Sequence, residues 1–124
     1  MQTGIEAEAV VARSLAAFNA KDISALMACW HDDAVILAFP SGKLANGAAE
    51  IRARFLKRFL ERDLYARLAS RASVENTVID RLIVTRNFPA GKAQLYEMMI
   101  YEVAEGRIAR AWIKSGTPQF LGGP

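Results

Sequence analysis

The apolar positions along the chain change period once, near Leu64. Before that point they recur every three to four residues. Val11, Leu15 and Phe18 fall at i, i+4 and i+7, which makes one apolar stripe of a helix. Thr3-Gly4-Ile5-Glu6 in front of it has the form of a capping box, with a hydroxyl and a carboxylate three residues apart. Asp22 is an N-cap for a short second helix, on which Ile23, Leu26, Met27 and Trp30 share a face. Val35-Ile36-Leu37-Ala38-Phe39, ended by Pro40, reads as a buried strand. Asn46 then caps a third helix with Ile51, Phe55 and Phe59 as its inner stripe. Arg52, Lys57, Arg58 and Arg62 are expected to point outward, and Glu50/Arg54 and Lys57/Glu61 to pair at i, i+4.

From Leu64 the period is two. Leu64, Ala66 and Leu68 alternate with Tyr65, Arg67 and Arg71. Three longer strands follow, near Val74–Phe88, Ala93–Ala104 and Arg107–Ser115. Phe88-Pro89-Ala90-Gly91 and Glu105-Gly106 are the hairpin turns between them, with glycine supplying a positive φ. Ser115 to Pro124 is rich in Gly and Pro and reads as an irregular tail. Segregated helices followed by hairpin strands imply an α+β domain, three N-terminal helices on one face of a curved, mostly antiparallel sheet. Such layers close as a cone with a cavity at its mouth. The last strands are apolar on both faces: Met98, Ile100 and Trp112 on one, Met99, Ala111 and Ile113 on the other. One face packs on helices, so the second predicts a homodimer, sheet against sheet.

Composition narrows the class. The 124 residues, 52% apolar and 23% charged, make a single globular domain over 1–124, with residues 116–124 as its tail. At this size roughly two-thirds of the unfolded surface can be buried, so no disulfide or structural metal is needed. Cys29 is the only cysteine, which excludes intramolecular disulfides and zinc sites built from several thiolates. No apolar run approaches the roughly 20 residues that span a bilayer. Met1 to Glu8 carries two acids and no base, unlike a signal peptide, so a cytoplasmic protein without membrane contact is expected. The net charge of +3 does not imply nucleic acid. The basic segment Arg52, Arg54, Lys57, Arg58, Arg62, Arg67 and Arg71, with interleaved acids and an inner Phe stripe, reads as a solvated face. Gly122-Gly123 lies in the tail rather than between a strand and a helix, so no phosphate loop and no cofactor are implied.

Several stretches together resemble a known family. These are Ala12-Arg13-Ser14, Phe18-Asn19-Ala20-Lys21-Asp22-Ile23, Trp30-His31-Asp32-Asp33-Ala34, Asn46-Gly47-Ala48-Ala49-Glu50-Ile51, and Ile100-Tyr101-Glu102-Val103 with Gly106-Arg107-Ile108 and Trp112. Over about residues 5 to 115 the chain is similar to the nuclear-transport-factor-2-like superfamily, and within it to the SnoaL-like and steroid delta-isomerase-like branch. The resemblance implies a cone-shaped, cystatin-like fold. It does not imply one activity, because the superfamily holds isomerases, cyclases, dehydratases, epoxide hydrolases and non-catalytic binders. Ketosteroid isomerases use a tyrosine, a carboxylate base and a protonated acid. Here those positions fall on Ser14, Ala38 and Met99. Alanine moves no proton and methionine donates no hydrogen bond, so isomerisation by that mechanism is not expected. SnoaL-type cyclases carry an aspartate soon after the last-strand tryptophan; Trp112 is followed by Ile113, Lys114, Ser115 and Gly116. Aligned pocket positions stay apolar or aromatic: Phe18, Trp30, Phe55, Phe59, Leu95, Ala111 and Ile113.

The residues that remain for chemistry are few. Glu97 shares strand parity with Met99 and Tyr101, so it faces the cavity if Met99 does. A carboxylate in an apolar pocket titrates high and serves as a general acid or base; at the cone mouth it would instead pair with a base or with water. Tyr101 could donate to a carbonyl oxygen, or only pack. His31, the single histidine, cannot build a multi-histidine metal centre and could look into the cavity beside Trp30. Ser14 hydrogen-bonds either a ligand or its own helix. Two functions follow. One is binding of a small, largely apolar molecule in the cone, with acid–base chemistry by Glu97, Tyr101 or His31. The other is a non-catalytic assembly module whose cone is closed by Phe18, Phe55, Phe59 and Met99. An open cavity of about 300 Å³ or more favours the first.

Overall fold

A computed structural model describes residues 3–122; residues 1–2 and 123–124, the ends of the first segment and of the tail, lie outside the described residues. Helix α1, Gly4–Asn19, starts at the expected capping box. The Glu6 N–H donates to Thr3 Oγ1 at 3.1 Å and the Thr3 N–H to Glu6 Oε2 at 3.3 Å. Its inner face is Ala7, Val10, Val11, Ser14 and Ala17, with Leu15 and Phe18 half-buried on the flank. Helix α2, Ile23–Met27, is capped by Asp22, whose Oδ1 accepts from the Ala25 N–H at 3.1 Å. It is too short to include Trp30, which opens strand β1, Trp30–Ala38, and is buried there.

The expected loop between Pro40 and Gly47 contains a strand. Strand β2, Lys43–Asn46, pairs antiparallel with β1. Asn46 is therefore the end of a strand and not a cap. Helix α3, Ala48–Phe59, has Gly47 at its N-cap with φ +87°, a conformation that favours glycine. Glu50 reaches back to accept from the Asn46 N–H at 2.8 Å rather than pairing with Arg54.

Strands β3 (Tyr65–Val74), β4 (Thr77–Phe88), β5 (Gly91–Ala104) and β6 (Arg107–Ser115) form an antiparallel meander. A turn at Glu75-Asn76, with Glu75 at φ 52°, separates β3 from β4 where the pattern predicts one continuous run from Val74. Leu68 keeps its register opposite buried Leu82 but is exposed on the edge strand β3, and the alternation ends just after it, where the register shifts between Leu68 and Ser70. The later turns match expectation. Phe88 pairs with Gly91 across Pro89-Ala90, and Glu105 and Gly106 both have positive φ, as a two-residue hairpin of this hand requires. The sheet order is β2-β1-β6-β5-β4-β3, antiparallel throughout except for the parallel β1–β6 pair. The expected irregular tail contains a two-residue strand, β7 (Gln119–Phe120), on Ala93 and Gln94 of β5, beyond the end of β6.

The result is α+β, with three helices on one face of an open, curved sheet. The inner face holds two buried clusters, one around α1, β1 and Val103, the other around Leu64, Leu82 and Leu95. Phe18, Phe59 and Met99 pack against both. A cavity lies where the clusters meet. No helix among the described residues is long and apolar enough to cross a membrane.

Candidate functional site

The cavity encloses about 90 Å³. Period-two alternation brings Glu97, Met99 and Tyr101 of β5 onto its wall, as their shared parity predicts. Ile113 of β6 stands opposite Met99. Aromatic rings run across the cavity from the helices to the sheet. The Phe18 and Phe55 centroids are 6.0 Å apart, Phe55 and Trp30 5.8 Å, and Trp30 and Tyr101 6.4 Å, all edge to face. Ser14 completes the inner end. Its hydroxyl accepts from Trp30 Nε1 at 3.3 Å, so the serine holds the indole in place. Those eight expected residues are brought together here.

Five are not. Ala38 lies past the cavity at the end of β1; Ile36, two residues earlier on the same face, lines it instead. Leu95 and Ala111 are sealed in the core, and Phe59 packs behind Phe18 and Phe55 without reaching the cavity. His31 points out of the cone towards the β5–β6 hairpin, where Nε2 lies 2.6 Å from the Ala104 carbonyl oxygen. That oxygen only accepts, so Nε2 is the protonated nitrogen. His31 is thus a strand-to-hairpin tie, outside the site.

Three arginines also line the cavity: Arg54 and Arg58, expected on a solvated face, and Arg86, for which the sequence suggested no role. Arg54 and Arg58 come from α3 and Arg86 from β4. Helix α3 lies across the cone, so positions on both sides of the Ile51–Phe55 stripe look inward. Arg54 and Arg58, one turn apart and flanking Phe55, carry the spacing that signals this. Arg86 NH2 donates to Glu61 Oε2 at 2.7 Å and Arg86 Nε to Glu61 Oε1 at 3.1 Å. Arg58 reaches Glu61 Oε2 at 3.4 Å. The expected Lys57/Glu61 pair is replaced by these. Arg54 makes no ion pair or hydrogen bond among the described residues.

The site splits into a dry inner end and a charged rim. Burial pushes the Glu97 carboxyl above its ordinary range. A hydrogen bond from the Ser115 hydroxyl at 3.1 Å and the charges of Arg58, Arg86 and Arg54 only partly offset this. Glu97 and Ser115 are cross-strand neighbours, which is why they meet. Burial also pushes the Tyr101 phenol up, helped by the negative charge of Asp80, so it stays a neutral donor. Its hydroxyl has no hydrogen bond among the described residues. No fully buried side-chain polar atom there lacks a partner, so the hydroxyl opens onto the cavity. Desolvation, with the charges of Arg58 and Arg86, lowers the Arg54 pKa, and Glu97 opposes the shift. The arrangement offers a carboxyl that can hold or release a proton, a phenol donor within the chamber, and guanidinium groups able to stabilise negative charge. No cluster of His, Cys, Asp and Glu suited to a metal ion occurs among the described residues.

The model of the SnoaL-like domain family matches residues 11–111. Solved structures share the fold. A cystatin-fold protein of uncharacterised function from Novosphingobium aromaticivorans superposes with a TM-score of 0.79 at 20% identity, covering 88% of this chain and 97% of that one. A candidate polyketide cyclase from Sinorhizobium meliloti gives 0.71 at 21% identity, over 85% and 93%. A nuclear-transport-factor-2-like protein of unknown function from Burkholderia pseudomallei gives 0.75 at 13% identity, over 88% and 89%. No curated protein matches the chain.

Proposed function

The chain belongs to the SnoaL-like family, whose members share a cone with differing contents, and from that premise we propose that it binds a small, largely apolar molecule in the cone and acts on it by acid–base chemistry through Glu97. The observation that carries this reading is the position of Glu97, a half-buried carboxyl with a raised pKa on the cavity wall, between the largely apolar inner end and the arginine rim. Tyr101 is the donor to a carbonyl or enolate oxygen of the bound molecule. His31 has no part in the reaction. The enclosed volume of about 90 Å³ is below the range of drug-sized ligand pockets, roughly 300 Å³ and upward. A ligand therefore places a small group inside and the rest at the rim, or displaces Phe55 or Met99.

That small volume also favours a second reading, an assembly module with a nearly closed cone. A thermal-shift screen against aromatic polyketides, steroids, terpenoid epoxides and fatty acids separates the two. Saturating ligand at about a hundred times its Kd adds roughly 2.7 kcal/mol, a rise of several degrees in Tm. A dose-dependent rise supports the binding site. A flat response across all four classes supports the closed cone. For any turnover found, Glu97→Gln is expected to abolish it with the fold intact; retained turnover removes Glu97 from the mechanism. The homodimer is part of the same proposal. The outer face exposes Ile79, Tyr96 and Met98 beside half-buried Ile100 and Trp112, an apolar patch suited to a second copy. Light scattering at micromolar concentration giving only monomer would remove it.

A further inference from the structure

The rim of the cavity is more positively charged than the chemistry of Glu97 requires. Arg54, Arg58 and Arg86 converge on it from two elements, α3 and β4. Only Glu61 pairs with them at close range, and it serves both Arg58 and Arg86. Three cations against two carboxylates leave one positive charge in excess, and two when Glu97 is protonated. Arg54 is half-buried and makes no ion pair or hydrogen bond among the described residues; the one carboxylate that acts on it, Glu97, does so through space. A guanidinium presents five N–H donors in a planar fork that matches a carboxylate. Partial burial makes an unanswered charge costly, and complementary when an anion arrives. Below the rim the walls are carbon: Phe18, Phe55, Trp30, Met99 and Ile113.

We infer that the ligand of this cavity is an amphipathic organic acid, with its apolar end in the chamber and its anionic group on the Arg54 guanidinium at the rim. The inference rests on the cone being a ligand site. It adds the chemical class and the orientation of what binds. The orientation also suits the small enclosed volume, because only the apolar end has to enter. It places the anion near Glu97, where a second negative charge favours the protonated carboxyl and so its role as an acid or hydrogen-bond donor.

The test uses matched pairs of near-isosteric compounds, one anionic and one neutral: benzoate and benzamide, cinnamate and cinnamamide, 2-naphthoate and 2-naphthamide. Affinities for the intact protein are measured by calorimetry or ligand-observed NMR at neutral pH. The carboxylates are expected to bind about tenfold tighter than their amides, with a preference that weakens as salt is raised. Arg54→Gln is expected to remove the preference while leaving amide affinity within about twofold. Arg54→Lys, which keeps the charge and loses the fork, is expected to retain part of it. Equal binding of acids and amides, or a preference that survives Arg54→Gln in a folded protein, overturns the inference and leaves the apolar site standing. If neither member of any pair binds, the ligand site itself falls, and the inference with it.

Discussion

The inner faces of β3, β4 and β5 carry two carboxylates in contrasting states. Asp80 is 1% exposed and is gripped by Arg71 from the neighbouring strand, Nε to Oδ1 at 2.6 Å and NH2 to Oδ2 at 2.8 Å. The same contact raises the Arg71 pKa, chiefly through the hydrogen bond to Asp80. Glu97 is on β5, one strand over and nearer the rim. It has a single hydroxyl donor and three guanidinium groups that act on it only through space. The first pair is closed and leaves nothing for a ligand. The second is open on the cavity side. A buried charge with its valences filled is structure, whereas one left partly answered beside a void is where a ligand completes the set.

The contrast is broken most severely at Asp80. Asp80→Asn leaves Arg71 without its counter-charge in a dry setting, and about 3–5 kcal/mol of stability should be lost. At this chain length that lowers Tm by roughly 10 °C or more in calorimetry. A loss no larger than that of a surface ion pair would mean the closed pair is not structural.

Glu61 comes next, because it ties α3 to β4 and holds two of the rim arginines. Burial alone would raise its pKa. The hydrogen bonds from Arg86 and the Asn87 N–H, with the charges of Arg86 and Arg58, overcome that and lower it. A lowered folded-state pKa means stability that is present above the unfolded carboxylate range and is lost as pH falls through the folded value. Glu61→Gln should cost about 2 kcal/mol near neutral pH, and its gap to the wild type should close in acid. A gap independent of pH would show that the ionic contacts are not the source.

The smallest effect on stability, and opposite in sign, is expected at Glu97. Its folded-state pKa is raised, so its contribution is full below the unfolded carboxylate range and is lost as pH rises through the folded value. Glu97→Gln should therefore match the wild type in acid and be equal to it or slightly more stable at neutral pH. Chemical denaturation across that range reads the difference. A clear loss of stability at neutral pH would place Glu97 with Asp80, as part of the scaffold.

Much of the frame is legible from local rules. The capping box at Thr3, the Asp22 cap, the two-residue turns at Pro89-Ala90 and Glu105-Gly106, and the parity of Glu97, Met99 and Tyr101 each depend on a few neighbouring residues. The misreadings have a common cause. Asn46 reads as a cap only while β2 goes unseen, and β2 exists because β1 offers it an edge. Trp30 fits a helical face until β1 claims it for pairing with β6. Leu68 reads as core by its parity, yet it lies on the sheet-edge strand and is exposed. In each case the outcome depended on where a strand distant in sequence pairs.

The site divides in the same way. Period and propensity, which act over one turn or one strand, already determined three helices, a strand meander, a carbon-lined face and a carboxyl on it at Glu97. Only tertiary structure decided that His31 turns away to the Ala104 carbonyl, that Ser14 holds Trp30, and that Arg54, Arg58 and Arg86 face inward. The physical reason is that charge interactions depend on distance through space. An arginine on a helix reads as solvated until a second element closes over it, and Arg86 reaches this rim from a strand 28 residues after Arg58 in the chain.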